Sequence, residues 1–527
     1  MTNFRLLTGI IMSLLVSTLS AQSYEDILRY SQPTYSGTAR SMSMGDAMGS
    51  LGGDFSAIGI NPAGIAAYRS SEFSFTPSLI INSTKSNFDG VSTNESKTKF
   101  SLNQVGFVGT YRPMRDVQKG IVSTHFAIGY NRNNNFNYKS MATGRNIGTS
   151  MTDMFTSEAY GYTPDEVGGW GGLTGLGYNA YLIDYDDSQG IYTAYTAATN
   201  KFDQTKIIEK DGYSGDINVS TGMNISNILL LGVSANYTTM RYKETSNYFE
   251  EFSRDNNIQD PYVFNRFTVN NRLDAAGYGF NIKVGAIIKP TKHLRVGIAY
   301  HSPTWFKIEE DYGTRIDALF FNPINEEIGK ETFAKNYDSA LNKFDYKINT
   351  PDKIIASASY VFGKKAIISF DYEYMDYANA KFKTNTNNYD DIIAINEQNE
   401  LINKIFTSTN NYRAGLEFRV NSNLSLRGGY SLQVSPLGDK EVDIPTMHGV
   451  HQLSDFKDNY TIQGISGGFG YRNKNYFVDV AYRLSSYDTS YFNYDWPSDV
   501  NIDLDEPLKT EVTSNDHFAS ITVGWKF

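Results

Sequence analysis

The chain contains no cysteine. That excludes a disulfide framework, a thiolate nucleophile and any cysteine-ligated metal. Histidine is nearly as scarce: His125, His293, His301, His448, His451 and His517 are the six in 527 residues. None stands in a local motif with a serine that would suggest a triad, and no enzyme activity is expected. Charge is thin, at 20% of residues, and its formal balance is −10. Nucleic acid recruits Lys and Arg against its phosphates, so no nucleic-acid partner is expected. Long apolar runs are missing after the first two dozen residues. A helical span needs about eighteen such residues, so no transmembrane helix is expected beyond that point.

What is abundant is aromatic and small: 38 Tyr, 32 Phe and 44 Gly. The last residues place Ala519, Ile521, Val523, Trp525 and Phe527 at every second position, with Ser520, Thr522, Gly524 and Lys526 between them. A period of two describes a strand with one apolar and one polar face. At the other end, Arg5 precedes an apolar run from Leu6 to Leu19, followed by Ser20 and Ala21. This predicts a secretory signal over 1–21. No cysteine follows it, which excludes a lipid anchor.

From Phe73 onward, fourteen alternating runs are expected, near 72–82, 102–112, 121–131, 213–225, 228–241, 273–289, 293–303, 352–363, 365–376, 411–420, 423–434, 460–472, 475–486 and 515–527. Tight links such as Ser226-Asn227 and Asn421-Ser422-Asn423 alternate with long polar stretches at 83–101, 132–212, 242–272, 304–351, 377–410, 435–459 and 487–514. Strict alternation of short and long connections is the asymmetry of a bacterial outer-membrane barrel. The predicted fold is therefore all-β: a membrane-spanning antiparallel barrel of fourteen strands over 72–527. Parity sets the faces. Leu229, Leu231, Val233, Ala235 and Tyr237 would face lipid, and Gly232, Ser234, Asn236 and Thr238 the lumen. An Arg or Lys turned to lipid at mid-depth costs about 2–4 kcal/mol, so the charged positions select the register.

Residues 22–71 lack strand alternation and are rich in Gly, Ser and Met. Small residues with few charges suit a confined lumen, and this segment is expected to be a plug inside the barrel. It carries Asp54-Phe55-Ser56-Ala57-Ile58-Gly59-Ile60-Asn61-Pro62-Ala63-Gly64. Asp54, Ser56, Ala57, Ile58, Asn61, Pro62, Ala63 and Gly64, ahead of fourteen strands, resemble the FadL-type outer-membrane transporters of long-chain fatty acids and other hydrophobic compounds. The terminal aromatic Phe527 likewise resembles the signal that the barrel-assembly machinery reads.

The resemblance implies a Gram-negative outer-membrane protein that passively takes up a hydrophobic small molecule. Outside loops capture it, the N-terminal segment acts as a hatch that rearranges, and the molecule leaves sideways into lipid. In the family the exit is an inward kink of the third strand, near the Asn-Pro-Ala step; the corresponding strand here is 121–131. The same barrel also occurs as a non-transporting component of envelope secretion machines, in which long loops would dock protein partners.

Three further groups are candidate sites. The inward cations Arg295, Arg413, Arg419 and Arg427 would hold a substrate carboxylate. Alternatively, with Lys283 and Arg483, they form a lumen ladder with Asp216, Asp371, Glu373, Glu417 and Asp479. The run Gly168–Gly177, with Trp170, Tyr178 and Tyr181, is a candidate lid, or a surface loop that meets neighbouring molecules. It lacks the Lys-Ser/Thr that would follow in a phosphate-binding loop. His448, His451 and Asp443 lie close in sequence, but a third histidine is missing, so a solvated loop is expected, with no metal and no cofactor.

Overall fold

A computed structural model describes residues 24–113, 119–194, 201–253, 264–321, 331–338, 342–384, 389–437, 460–494 and 507–527. The expected signal over 1–21, and His448 and His451, lie outside the described residues.

The strands form one closed antiparallel barrel. In chain order they are β1 Glu72–Phe88, β2 Val91–Tyr111, β3 Ile121–Asn135, β4 Phe202–Ile225, β5 Leu229–Phe252, β6 Phe264–Ile288, β7 Leu294–His301, β8 Lys353–Phe362, β9 Ala366–Asp376, β10 Ser408–Arg419, β11 Leu424–Val434, β12 Thr461–Arg472, β13 Tyr476–Phe492 and β14 Lys509–Lys526. Each pairs with its neighbours, and β14 closes on β1 with Phe75 opposite Val523 and Ser78 opposite Ser520. No helix among the described residues is long and apolar enough to cross a membrane; the strands do the crossing, because closure pairs their backbone groups.

The faces follow the parity read from the sequence. On β5, Ser234, Asn236 and Thr238 are buried, whereas Val233 and Tyr237 are exposed. Outward aromatics gather at two levels. Trp525, Tyr476, Tyr471 and Phe362 lie near the short turns, and Tyr237, Phe280, Trp305 and Tyr412 lie further along. These are the two interface girdles of a membrane barrel. The turn between β4 and β5 uses left-handed backbone: Ser226 and Asn227 have φ of 54° and 59°, the two-residue hairpin geometry that matches strand twist.

Several stretches expected as long loops are strand instead. The stretch 83–101 continues β1 and β2 into a hairpin closed by Asp89-Gly90, with Phe88 opposite Val91. Beyond β7, Trp305–Phe321 pairs with the outer part of β6 and with Asn342–Asn349. The long connection after β3 contains a strand, Tyr138–Ile147, and three helices, α4 Met151–Ala159, α5 Pro164–Gly168 and α6 Leu173–Asn179. The connection after β9 carries helix α7, Tyr389–Ile405.

Inside the barrel sits the N-terminal plug. It comprises α1 Tyr24–Ser31, α2 Ala39–Ser43, α3 Ala57–Ile60 and a 3-10 turn, Pro62–Ala67. Inward glycines of the wall let its backbone approach closely. A Cβ on Gly429 would lie 2.0 Å from the Gly45 amide nitrogen, and one on Gly285 would lie 2.0 Å from Asn61 Oδ1. Gly429→Ala must therefore push plug backbone away, at an overpacking cost of about 1–3 kcal/mol. Faster tryptic cleavage of the plug in intact barrels is the expected outcome.

Candidate functional site

The hatch motif folds the plug and fixes it to the wall. Asp54 Oδ1 accepts from Thr38 Oγ1 at 2.7 Å and from the Ser56 amide at 3.0 Å. Thr38 in turn caps α2 by accepting from the Ser41 amide. Asn61 Nδ2 donates to Gly49 O at 2.7 Å and to Ala286 O of β6 at 3.3 Å, while its Oδ1 accepts from the Ala63 amide. Pro62 opens the 3-10 turn, where its missing N–H costs nothing. Gly64 O accepts from the Gly53 amide at 3.0 Å.

The lumen cations hold carboxylates and the plug. Arg427 binds Glu417 at 2.9 Å and Asp479 at 2.6 Å. Glu417 also accepts from Arg40 of α2 at 2.9 Å. Arg413 binds Glu373 at 3.2 Å and stacks 4.6 Å from the Tyr35 ring, whose hydroxyl donates to the same carboxylate. Arg295 donates to Leu51 O at 2.8 Å, and Arg483 binds Asp46 at 3.0 Å. Lys283 binds Asp216 at 2.8 Å. Arg419 differs: it is exposed at the turn end of β10, with no ion pair among the described residues. Asn-Pro-Ala meets β5 and β6 through Gly232 and Gly285, while β3 meets Phe55, cradled by Gly106 and Gly129.

The third strand parts from the second, while Ile121–Asn135 and Tyr138–Ile147 both keep their ladder to β4. β2 and β3 pair only from Gln104 opposite Asn131 to Tyr111 opposite Thr124. Above that point Val91–Leu102 pairs with β1 alone. The cause is local. Pro77 of β1 has no N–H for the ladder. A bulge beside it leaves Asn103 without a partner on β1, since Thr76 faces Gln104 and Pro77 faces Leu102. Across the seam β3 shifts register between Arg132 and Asn134. The continuing segment turns inward over the lumen face of β1, where the Lys139 amide donates to Asn82 Oδ1 and Lys139 O accepts from Thr84. Counting from Tyr111, the seam opens about 19 Å along the membrane normal for a 45° tilt, within a ~25 Å apolar band.

The plug touches β3 at this place. The Thr34 amide donates to Asn133 O at 2.8 Å, Ser36 bridges Arg132, and Asn134 Nδ2 donates to Gln32 O. Side chains span the seam: Arg132 Nε donates to Leu102 O at 3.2 Å, Lys99 binds Asp211 at 2.6 Å, and Lys97 donates to Lys210 O at 2.8 Å.

Beside the inward segment lies a cavity of about 140 Å³. Leu28, Phe136, Tyr242, Tyr460, Tyr487 and Tyr491 supply its apolar walls, and Gln32, Asn134, Arg29, Lys210 and Asp516 its polar ones. A second cavity of about 90 Å³ shares Gln32 and Asn134, and its lining is more polar, with Ser214, Asp216, Asn281 and Lys283.

Further out, the candidate lid is a folded unit. Ser150 with Asp153, and Thr163 with Glu166, form capping boxes that start α4 and α5. Phe155, Leu173 and Leu176 pack on Tyr248, Phe252 and Phe267, which are inward residues of β5 and β6. Trp170 is partly buried there, edge-on to Tyr162 at 4.9 Å. Tyr178 meets Tyr192 at 5.8 Å, and Tyr181 is exposed with φ of 60°. Burial pushes the Tyr192 phenol up to about 12, so it stays neutral in the lid. The cavity tyrosines escaped sequence reading because they come from distant strands; the lid helices carried a local signal in their capping boxes.

A closed barrel of fourteen strands, plugged from within and interrupted beside its third strand, defines an outer-membrane transport barrel. Residues 218–527 match the model of the outer membrane protein transport protein family (OMPP1/FadL/TodX), and the chain belongs to that family. It is therefore an outer-membrane transport protein, of a family that takes up hydrophobic compounds, and not an enzyme. Two solved structures share the fold. A Pseudomonas aeruginosa FadL homologue is 12% identical, with 94% of this chain and 100% of that one covered and a TM-score of 0.52. The Pseudomonas putida toluene transporter TodX is 12% identical, with 94% and 99% covered and a TM-score of 0.50. No curated protein matches the chain.

Proposed function

We propose that this barrel imports small apolar molecules passively, and that a molecule with a single aromatic ring is the best-fitting cargo. The observation that carries this reading is the aromatic cavity of about 140 Å³ beside the inward-turned end of β3. A dry apolar cavity of about 150 Å³ accepts benzene. A long alkyl chain would have to run on into the smaller cavity, where the charged Asp216 and Lys283 stand among the walls. Of the two cations that line the cavity, Arg29 is already held by Asp26 and Glu25, and Lys210 lies 5.2 Å over the Tyr138 ring.

Cargo enters past the lid, rests against the tyrosines, and leaves through the seam between β2 and β3. Transfer into lipid returns about 0.8 kcal/mol per carbon, which a water-filled pore would not supply. Gln32, Thr34 and Ser36 of the plug contact Asn134, Asn133 and Arg132 of β3 in turn, so a shift of the plug moves the cavity wall and the seam together.

Leu28→Trp places an indole in the cavity. Toluene uptake by cells expressing it should fall at least about tenfold with barrel assembly unchanged, since the ring loses its burial. Wild-type uptake of palmitate but not of toluene would remove the size argument. A stoichiometric protein partner in mild detergent, with no uptake of either compound, would favour the docking-component reading.

A further inference from the structure

The outward face of the wall carries an arrangement that transport does not use. Across β5, β6, Trp305–Phe321, Asn342–Asn349 and Lys381–Lys383 the registers are continuous. One cross-strand row reads Tyr237, Phe280, Trp305 and Asn349, ending at Lys381. Its aromatics are outward and exposed, with Phe280 and Trp305 stacked at 6.3 Å. The next row outward reads Thr239, Tyr278, Lys307, Lys347 and Lys383. Three lysines thus stand directly opposite one another, and a fourth, Lys381, is one row away.

Like charges placed opposite across strands repel, and a sheet gains nothing from them. The outer rows show the ordinary solution. Lys243 binds Asp274 at 2.9 Å, and Lys343 lies 3.8 Å from Asp311. In the lysine row only Lys307 has acidic neighbours, Glu309 at 3.3 Å and Asp345 at 3.9 Å. Lys347, Lys381 and Lys383 are exposed and make no ion pair among the described residues. This is a positive strip on a chain whose formal charge is −10.

Its height is informative. Thr239 lies ten residues beyond Leu229, the turn end of β5, and the tilt puts it about 23 Å up, at the outer edge of a ~25 Å apolar band. Lipid headgroups begin there. On the opposite part of the wall the exposed charges are mixed: Asp488 and Glu511 stand with Lys85 and Lys509.

We propose that Lys307, Lys347, Lys383 and Lys381 form a binding strip for the phosphate groups of an outer-leaflet phosphoglycolipid, whose acyl chains lie along Tyr237, Phe280 and Trp305. Ammonium groups bind phosphate as point charges, and desolvation against the aromatic row strengthens the contact. The headgroup relieves the repulsion in the row.

The test uses the purified full chain in a neutral detergent and fluorescent bisphosphorylated lipopolysaccharide. Lys307→Gln/Lys347→Gln/Lys383→Gln should weaken binding at least about tenfold. Lys364→Gln/Lys365→Gln/Lys474→Gln removes the same charge at the periplasmic turns and should leave binding unchanged. Heat-modifiable gel migration reports the fold of both. Independently of any variant, wild type should bind the dephosphorylated glycolipid at least about tenfold more weakly. Equal loss in both triple variants, equal binding of the dephosphorylated lipid, or displacement by millimolar inorganic phosphate at constant ionic strength would each overturn the assignment.

Discussion

Deleting residues 24–67 is expected to turn a closed barrel into a conducting one. The plug fills the lumen at the membrane level: Met42, Met44, Met48, Leu51, Phe55 and Ile58 are all buried against one another or the wall. Its removal leaves Asp371, Glu373, Arg413, Glu417, Arg427 and Asp479 facing an empty bore. Water and ions then enter, because charged walls that the plug no longer covers draw solvent. Barrels with a few more strands leave an aqueous channel when nothing fills them. Planar-bilayer conductance should rise on the order of tenfold over the intact protein, and open-channel noise should fall as the moving plug is lost. Equal conductance with and without the segment would mean that something else seals the lumen.

Glu417→Ala is expected to release the plug without deleting it. Glu417 is shared by Arg40 of the plug and Arg427 of the wall, both at 2.9 Å. All three side chains are nearly buried, at 8% exposure or less. Removing one partner of a buried pair leaves uncompensated charge and costs about 3–5 kcal/mol. Part of that cost falls on docking, since Arg40 can escape only by leaving the lumen. Tryptic cleavage after Arg40, and brief conducting bursts, should appear in the variant and be rare in wild type. The Arg40→Met/Glu417→Met pair, which removes both charges at similar volume, should restore protection. If cleavage is unchanged by Glu417→Ala, the pair does not hold the plug.

Much of the wall was legible because the physics is local. Each crossing shows period two, and turn residues such as Ser226-Asn227 mark the periplasmic ends. All fourteen expected runs fall on observed strands. The outer halves were not legible by that rule. Ser83–Ser101 is polar on both faces once it leaves lipid, so alternation vanishes although the strands continue. The Asp89-Gly90 dipeptide carried the hairpin signal there.

Parity placed Arg295, Arg413 and Arg427 on the inner face, but Arg419, expected there too, is exposed at the turn, and parity could not name any partner. Arg40 and Glu417 are separated by 377 residues, and only barrel closure brings them together. The seam was half visible: Pro77 stands in the sequence, but the bulge at Asn103 exists only in the pairing of β1 with β2. The cavity was invisible, because Leu28, Phe136, Tyr242 and Tyr460 share no local pattern.

The most direct test of lateral exit through the seam uses the absence of natural cysteine. Leu102→Cys/Arg132→Cys places a unique thiol pair where Arg132 now reaches Leu102 O. A short bifunctional thiol reagent with a cleavable link would tie β2 to β3 there. Toluene uptake should stop on cross-linking and return on cleavage of the link. Uptake that continues at full rate through the tied seam would contradict the account.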